Sequence, residues 1–206
     1  MITIVDYEAG NLTSVKRALD YLGIDSVISP DPDIIRKSEK IIFPGVGHAA
    51  SAMTTLIQRG IDAALHEAFN NGTPILGICL GTQIILSHSE EGDTGCLGLI
   101  DGQTKKFVLS DTSLKIPHMG WNTISIKKTH PMLKGIVDET EFYFVHSFYP
   151  QPSNSTDVVA LCEYEINFPA AIAKNTLFAT QFHPEKSGVA GLSILNNFVT
   201  WNGASC

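Results

Sequence analysis

Pro74-Ile-Leu-Gly-Ile-Cys-Leu-Gly-Thr-Gln83 is the stretch from which the fold is read. Pro74 to Ile78 is an apolar run of strand length, and from Gly81 the chain reads as helix. Cys79 stands at the junction, with Gly77 two residues before it and Gly81 two after. This is a G-x-C-x-G form of the nucleophile elbow, a tight strand-to-helix turn that lifts a reactive side chain above the sheet edge. Glycine is needed on both sides because a Cβ there would crowd the adjoining strand and helix. The helix N-terminus points its partial positive charge at the sulfur, which suits a negatively charged nucleophile. The peptide N–H of Leu80 is then placed to donate to an oxyanion. A free cysteine is more commonly a buried structural residue, so the spacing alone leaves the two readings level and the nucleophile reading requires a base.

Working outward, the first half alternates strand and helix. Ile2 to Val5 is a short apolar run, and Asn11 is expected to cap a helix carrying Leu12, Val15, Leu19 and Leu22 at helical spacing before Gly23 ends it. Ile24 to Ile28 reads as a second strand, and Asp31-Pro32 opens a short helix. Lys40 to Phe43 is a third strand, broken by Pro44-Gly45-Val46-Gly47, and helical segments run on through Phe69. Such alternation requires crossover connections. The fold class is therefore α/β: a mostly parallel central sheet with helices on both faces.

The second half changes character. Thr104–Val108, Thr123–Lys127, Phe142–Val145, Val158–Leu161, Ala170–Ala173 and Leu177–Phe182 read as strands separated by turns, which predicts antiparallel additions to the same sheet. Ser187 is expected to cap a last amphipathic helix with Leu192, Leu195, Phe198 and Val199 on one face. With no linker, repeat or low-complexity tract, residues 1–206 read as a single domain.

The base comes from Phe178-Ala-Thr-Gln-Phe-His-Pro-Glu-Lys-Ser187. An apolar strand is expected to end at His183, and at extended spacing Glu185 projects to the same side. Glu185 could then hold one imidazole nitrogen and leave the other for the thiol, giving nucleophile, base and orienter in the order Cys79, His183, Glu185. A lone His-x-Glu is explained more often by a surface histidine. Its conjunction with the cysteine elbow is far stronger, because both motifs end strands whose C-terminal ends share one edge, where open α/β sheets place their sites.

Composition narrows the classes. Hydrophobic residues make up 44% of the 206 and charged residues 17%, enough to bury a sizeable core. The net charge of −7 is the wrong sign for nonspecific attraction to nucleic acid. No run approaches a membrane span, and the start lacks the basic segment of a signal peptide. Cys79, Cys96, Cys162 and Cys206 are scattered without a CxxC pair, so neither a disulfide framework nor a metal or other cofactor is expected, and the working assumption is a cytoplasmic protein.

Gly-Ile-Cys-Leu-Gly-Thr-Gln and Gln-Phe-His-Pro-Glu-Lys-Ser together resemble the two signatures of triad-type (class I) glutamine amidotransferases. Asp6-Tyr-Glu-Ala-Gly-Asn-Leu-Thr-Ser-Val15, Pro44-Gly-Val-Gly47, Pro117-His-Met-Gly-Trp-Asn122 and Phe144-Val-His-Ser147 are similar to the glutaminase subunits of imidazole glycerol phosphate synthases, over essentially the whole chain. The resemblance implies an oxyanion strand in which glycine flanks let the Val46 peptide rotate its N–H toward the substrate, beside that of Leu80. It implies a glutamine pocket made by Gly47, Gln83, Glu91, His146, Ser147 and Phe148. Glu91 would take the substrate ammonium, which is chemically apt, although its polar surroundings also fit a solvated loop. It further implies a heterodimer with a (β/α)8-barrel cyclase subunit that receives the ammonia, with Asn11, Ser14 and Trp121 on segments facing it. Trp121 as core and His118 as a loop brace are the plainer readings of those two residues. Phe148 and the Glu8-Ala9 pair depart from the family pattern. A paralogous glutaminase feeding another amidotransfer, such as sugar amidation for surface polysaccharides, and a non-catalytic binding member of the same fold are the alternatives.

Overall fold

The computed structural model describes residues 1–204; Cys206, one of the four cysteines, lies outside them. Its main sheet grows from short apolar strands buried on both faces, as crossover topology demands. Strand β1 (Ile2–Val5) leads into α1 (Leu12–Tyr21), β2 (Ser26–Ser29), α2 (Pro32–Arg36) and β3 (Lys40–Gly45). Then come α3 (Ala49–Gln58), α4 (Ile61–Asn70), β4 (Ile75–Cys79) and α5 (Leu80–Ile84). Every residue of β1 and β4 is buried. Asp31 caps α2 by accepting from the N–H of Asp33, with Pro32 in the first turn, as read from the sequence.

The second half contributes β5 (His88–Ser89), β6 (Thr94–Gly95), β7 (Gly102–Lys106), β8 (His118–Thr123) and β9 (Ser125–Ile126). After these follow β10 (Glu141–His146), β11 (Phe148–Pro152), β12 (Val158–Tyr164), β13 (Ile166–Lys174), β14 (Leu177–Thr180) and the last helix α6 (Gly188–Thr200). The eight-stranded sheet runs β2-β1-β3-β4-β14-β13-β12-β9. Its first five strands are parallel and the remainder antiparallel. One apolar layer joins α1 and α6 through Val15, Leu19, Leu195 and Phe198; the other joins α3 and α4 through Leu56, Ala64 and Leu65. Helices thus cover both faces.

Three sequence expectations need correction. The later strands do not all extend one sheet: β10 pairs with β8 alone, and β11-β7-β5-β6 form a separate four-stranded sheet. These strands alternate buried and exposed residues, so each presents one face to the core and one to water, the pattern of a small flanking sheet. Asn11 does not cap α1 with its side chain: its backbone is left-handed (φ 65°) and the amide turns elsewhere. Ser187 does not cap α6 either. Its hydroxyl donates to the carbonyl of His183, 2.6 Å away, and accepts from the N–H of Tyr143 at 2.9 Å.

The register places the site. Gly45 pairs with Cys79 across β3 and β4, and Thr180 with Ile78 across β14 and β4, so three C-terminal strand ends meet at one edge.

Candidate active site

Cys79 is the last residue of β4 and holds φ 54° and ψ −107°, a conformation few non-glycine residues adopt. The flanking glycines make the turn possible. A Cβ on Gly81 would lie 1.9 Å from the carbonyl oxygen of Phe43, and one on Gly77 would lie 2.9 Å from the Cβ of Ala179. Leu80 opens α5, where the first N–H groups lack an intrahelical partner. The sulfur is 3.7 Å from Gln181 Nε2, which can donate to it, and Gln83 Nε2 donates in turn to Gln181 Oε1 at 3.1 Å.

His183 follows β14 by three residues instead of ending it, and Glu185 sits in a 3-10 turn opened by Pro184. The His183–Glu185 contact is therefore made through a proline turn and not by extended alternation. His183 is tied down by its own N–H, 2.9 Å from the carbonyl of Tyr143 on β10. Its Nδ1 lies 2.7 Å from Glu185 Oε1, and both side chains are wholly buried. Its Nε2 is buried without a hydrogen-bond partner among the described residues. Burial opposes a charged imidazole, but the charge at Cys79 and then Glu185 prevail and push its pKa up to about 10. The chain folds the thiol, the imidazole and the carboxylate into one interacting set.

Asn11 completes this set. Its amide donates to Glu185 Oε1 and lies 3.4 Å from His183 Nδ1. The cap expectation hid this role, since the partner is 174 residues away in sequence.

Above the sulfur lies a cavity of about 280 Å³. Gly47, Gln83, Glu91, His146, Ser147 and Phe148, the six residues expected to hold substrate, all line it with Cys79, Val46 and Leu80. Pro117 and Val145 line it as well, without having been singled out. Gln83 does not offer its amide N–H groups freely, since Nε2 also donates to the Phe148 carbonyl at 2.8 Å. Glu91 accepts from the N–H of Ala49 at the start of α3, 2.7 Å away, which anchors the carboxylate at the cavity wall.

The Val46 N–H points away from the cavity, donating to the Ala9 carbonyl at 2.7 Å. An oxyanion role for it therefore requires the Gly45–Val46 peptide to turn. Of the residues expected to face a partner, Asn11 and Ser14 are half-buried and Trp121 is 53% exposed. Ser14 shares a surface cleft with Glu185 and Gly188, and the rim of the Trp121 ring lies 4.0 Å from where a Cβ on Gly188 would be. All three border the outer side of the His183–Glu185 turn. No group of three or more His, Cys, Asp or Glu suited to a metal ion occurs among the described residues.

The chain belongs to the class-I glutamine amidotransferase family, whose model matches residues 3–201. It is 48% identical to imidazole glycerol phosphate synthase subunit HisH of Nitratidesulfovibrio vulgaris (strain DSM 19637 / Miyazaki F), over 98% of this chain and 97% of that one. The subunit of the same name from Methanosarcina acetivorans is 47% identical over 96% and 97%. Among solved structures, one described as a glutamine amidotransferase superposes with a TM-score of 0.77 at 15% identity, covering 99% of this chain and 100% of that one, a likeness of fold alone.

Proposed function

We infer that this chain is the glutaminase subunit of an imidazole glycerol phosphate synthase. It hydrolyses glutamine to glutamate and ammonia and passes the ammonia to a cyclase partner in histidine biosynthesis. The observation that carries this reading is the buried Cys79, His183 and Glu185 set beneath the cavity, in a chain nearly half identical to subunits of that name.

The Cys79 thiolate attacks the side-chain amide carbon, and the carbonyl oxygen becomes an oxyanion held by the N–H groups of Leu80 and Val46. His183 gives its proton to the departing nitrogen, the C–N bond breaks, and ammonia leaves a γ-glutamyl thioester. Neutral His183 then takes a proton from water. The hydroxide adds to the thioester carbon, the C–S bond breaks, and glutamate departs with Cys79 restored as thiolate. Glu185 holds the imidazole in orientation and stabilises its cationic form. The cavity walls supply specificity: the Glu91 carboxylate receives the ammonium, while Gly47, Gln83, His146, Ser147 and Phe148 shape the rest.

Ammonia in neutral water is mostly the non-nucleophilic ammonium ion, so its acceptor must adjoin. The partner is a (β/α)8-barrel cyclase seated over the Asn11, Ser14 and Trp121 rim. Support comes from that rim: on β8, Met119 and Trp121 stand 61% and 53% exposed while His118 turns inward. Because the Val46 N–H is engaged by Ala9, catalysis waits on the partner and its nucleotide ligand to turn that peptide. The reactive thiol fits a reducing cytoplasm. No helix among the described residues is long and apolar enough to cross a membrane.

The test is glutamine hydrolysis with and without the candidate cyclase and its ribotide ligand. The expected result is strong stimulation that Cys79→Ala abolishes, together with loss of labelling by a glutamine-like electrophile. Hydrolysis unchanged in that variant rejects the assignment.

A further inference from the structure

Tyr7 follows β1 and is 1% exposed, yet its hydroxyl has no hydrogen-bond partner among the described residues. An unpaired hydroxyl in a native interior is costly and uncommon. Nothing in the packing of the ring demands it: the ring lies against Phe43 with centroids 5.0 Å apart, which a phenylalanine would do equally well.

The location of the hydroxyl supplies a reason. A Cβ on Gly45 would lie 2.0 Å from the Tyr7 oxygen, so the phenol fills the space where a Gly45 side chain would be. Gly45 begins the peptide whose N–H, on Val46, donates to Ala9. Val46, Gly47 and Leu80 line both the substrate cavity and a second cavity of about 200 Å³ that Tyr7 and Ala9 also line. The Gly45–Val46 peptide is thus part of the wall between two spaces, with its N–H turned to the Ala9 side.

In a planar trans peptide the N–H and C=O point in opposite directions. Turning the Val46 N–H toward the substrate therefore carries the Gly45 carbonyl to the side that Ala9 and Tyr7 occupy. There it needs a donor, and the group that Ala9 turns toward it is a carbonyl. We propose that the Tyr7 hydroxyl is a positioning group for the oxyanion site, donating to the Gly45 carbonyl when the Val46 N–H turns to the substrate. One internal hydrogen bond is given up and one is formed, so the turned peptide is not left with a buried orphan carbonyl. Burial first, and then the charge at Cys79, hold the phenol's pKa well above its ordinary value, so the group remains a donor at any working pH. Glycine at position 45 serves this arrangement twice, by admitting the phenol and by leaving the peptide free to rotate.

The inference rests on the reading of Val46 as an oxyanion donor, and the experiment separates the two. Glutamine hydrolysis is measured for wild type and Tyr7→Phe, each full-length, alone and with the cyclase and its ribotide ligand, together with thermal unfolding. Phenylalanine removes only the hydroxyl. The expected result is a ratio of stimulated to unstimulated kcat about tenfold lower in Tyr7→Phe, with KM within about twofold of wild type and a melting temperature equal or higher. A purely structural hydroxyl would move the melting temperature and leave that ratio alone. A ratio equal to wild type, or equal loss of stimulated and unstimulated activity, overturns the proposal. A wild-type chain that the partner fails to stimulate overturns the oxyanion reading itself, and the role of Tyr7 with it.

Discussion

His118 Nδ1 lies 3.0 Å from His146 Nε2, and this contact orders a directional chain of hydrogen bonds under the cavity above Cys79. His146 Nδ1 faces the Phe148 carbonyl at 2.8 Å and must donate to it, so its Nε2 accepts from His118. His118 Nε2 then accepts from the Asn122 amide at 3.3 Å, whose nitrogen also donates to the Glu163 carbonyl at 2.9 Å. Every step requires both imidazoles neutral. The chain ends on the carbonyl that also receives Gln83, so it stiffens the Ser147–Phe148 wall.

Acid should loosen this arrangement. Burial lowers His118 to about 4 and His146 to about 3, the latter also through the charges of His118 and His183 and against the Phe148 bond. Burial, with Lys128 nearby, lowers His130 to about 4. The unfolded chain binds these protons near pH 6.5 and the folded chain does not, so what these three histidines contribute to stability is full above that pH and declines as pH falls toward 4, whereas His183, with its raised pKa, contributes fully below pH 6.5 and loses its share as pH rises. Each proton contributes up to about 1.4 kcal/mol per pH unit. Urea midpoints measured from pH 6.5 to 4.5 should fall monotonically, and a flat profile would contradict the buried neutral histidines.

Replacing Glu185 with Gln keeps the shape and removes the charge that supports the His183 cation. The expected loss in partner-stimulated kcat is roughly 10³–10⁴-fold, with KM near wild type, because substrate binding does not use the carboxylate. A loss below tenfold would remove Glu185 from the catalytic set.

Asn11→Gly tests the amide that steadies Glu185. Glycine accepts the φ of 65° at no cost, so only the side-chain contact is lost. Stimulated kcat should fall about tenfold while the urea midpoint stays near wild type. Full activity in this variant would leave Asn11 as an interface residue only.

The elbow glycines should differ in tolerance. Gly77→Ala meets the Ala179 Cβ at 2.9 Å and should cost about 1–3 kcal/mol as that side chain gives way. Gly81→Ala meets the Phe43 carbonyl at 1.9 Å, which is backbone of a central strand and cannot yield without breaking β3. Chemical denaturation should rank Gly81→Ala as far the more destabilised, and equal midpoints would refute the packing account.

What was legible in the sequence follows a physical division. The elbow and the His-Pro-Glu turn are local, so Cys79, His183 and Glu185 announce themselves by short-range spacing. The parallel half follows from alternating periods in a chain with few competing signals. The flanking sheets were missed because half-buried strands look alike whichever neighbour they choose. Asn11 and Ser187 were misread for a related reason. Both have cap-forming side chains before helices, but other partners win: distant Glu185 for Asn11, and for Ser187 the His183 carbonyl four residues back together with the Tyr143 N–H. Gln181 stands inside a motif already in view, and only coordinates turn its amide toward the sulfur.

The backbone at Cys79 also limits what this enzyme could become. At φ 54° and ψ −107° a side chain branched at Cβ would collide with its own main chain. A laboratory lineage seeking a new nucleophile here could pass through serine, which branches nowhere, but threonine is closed to it however the surrounding walls are redrawn. Swapping the proposed attacking atom is a one-letter change; swapping its class would require rebuilding the turn.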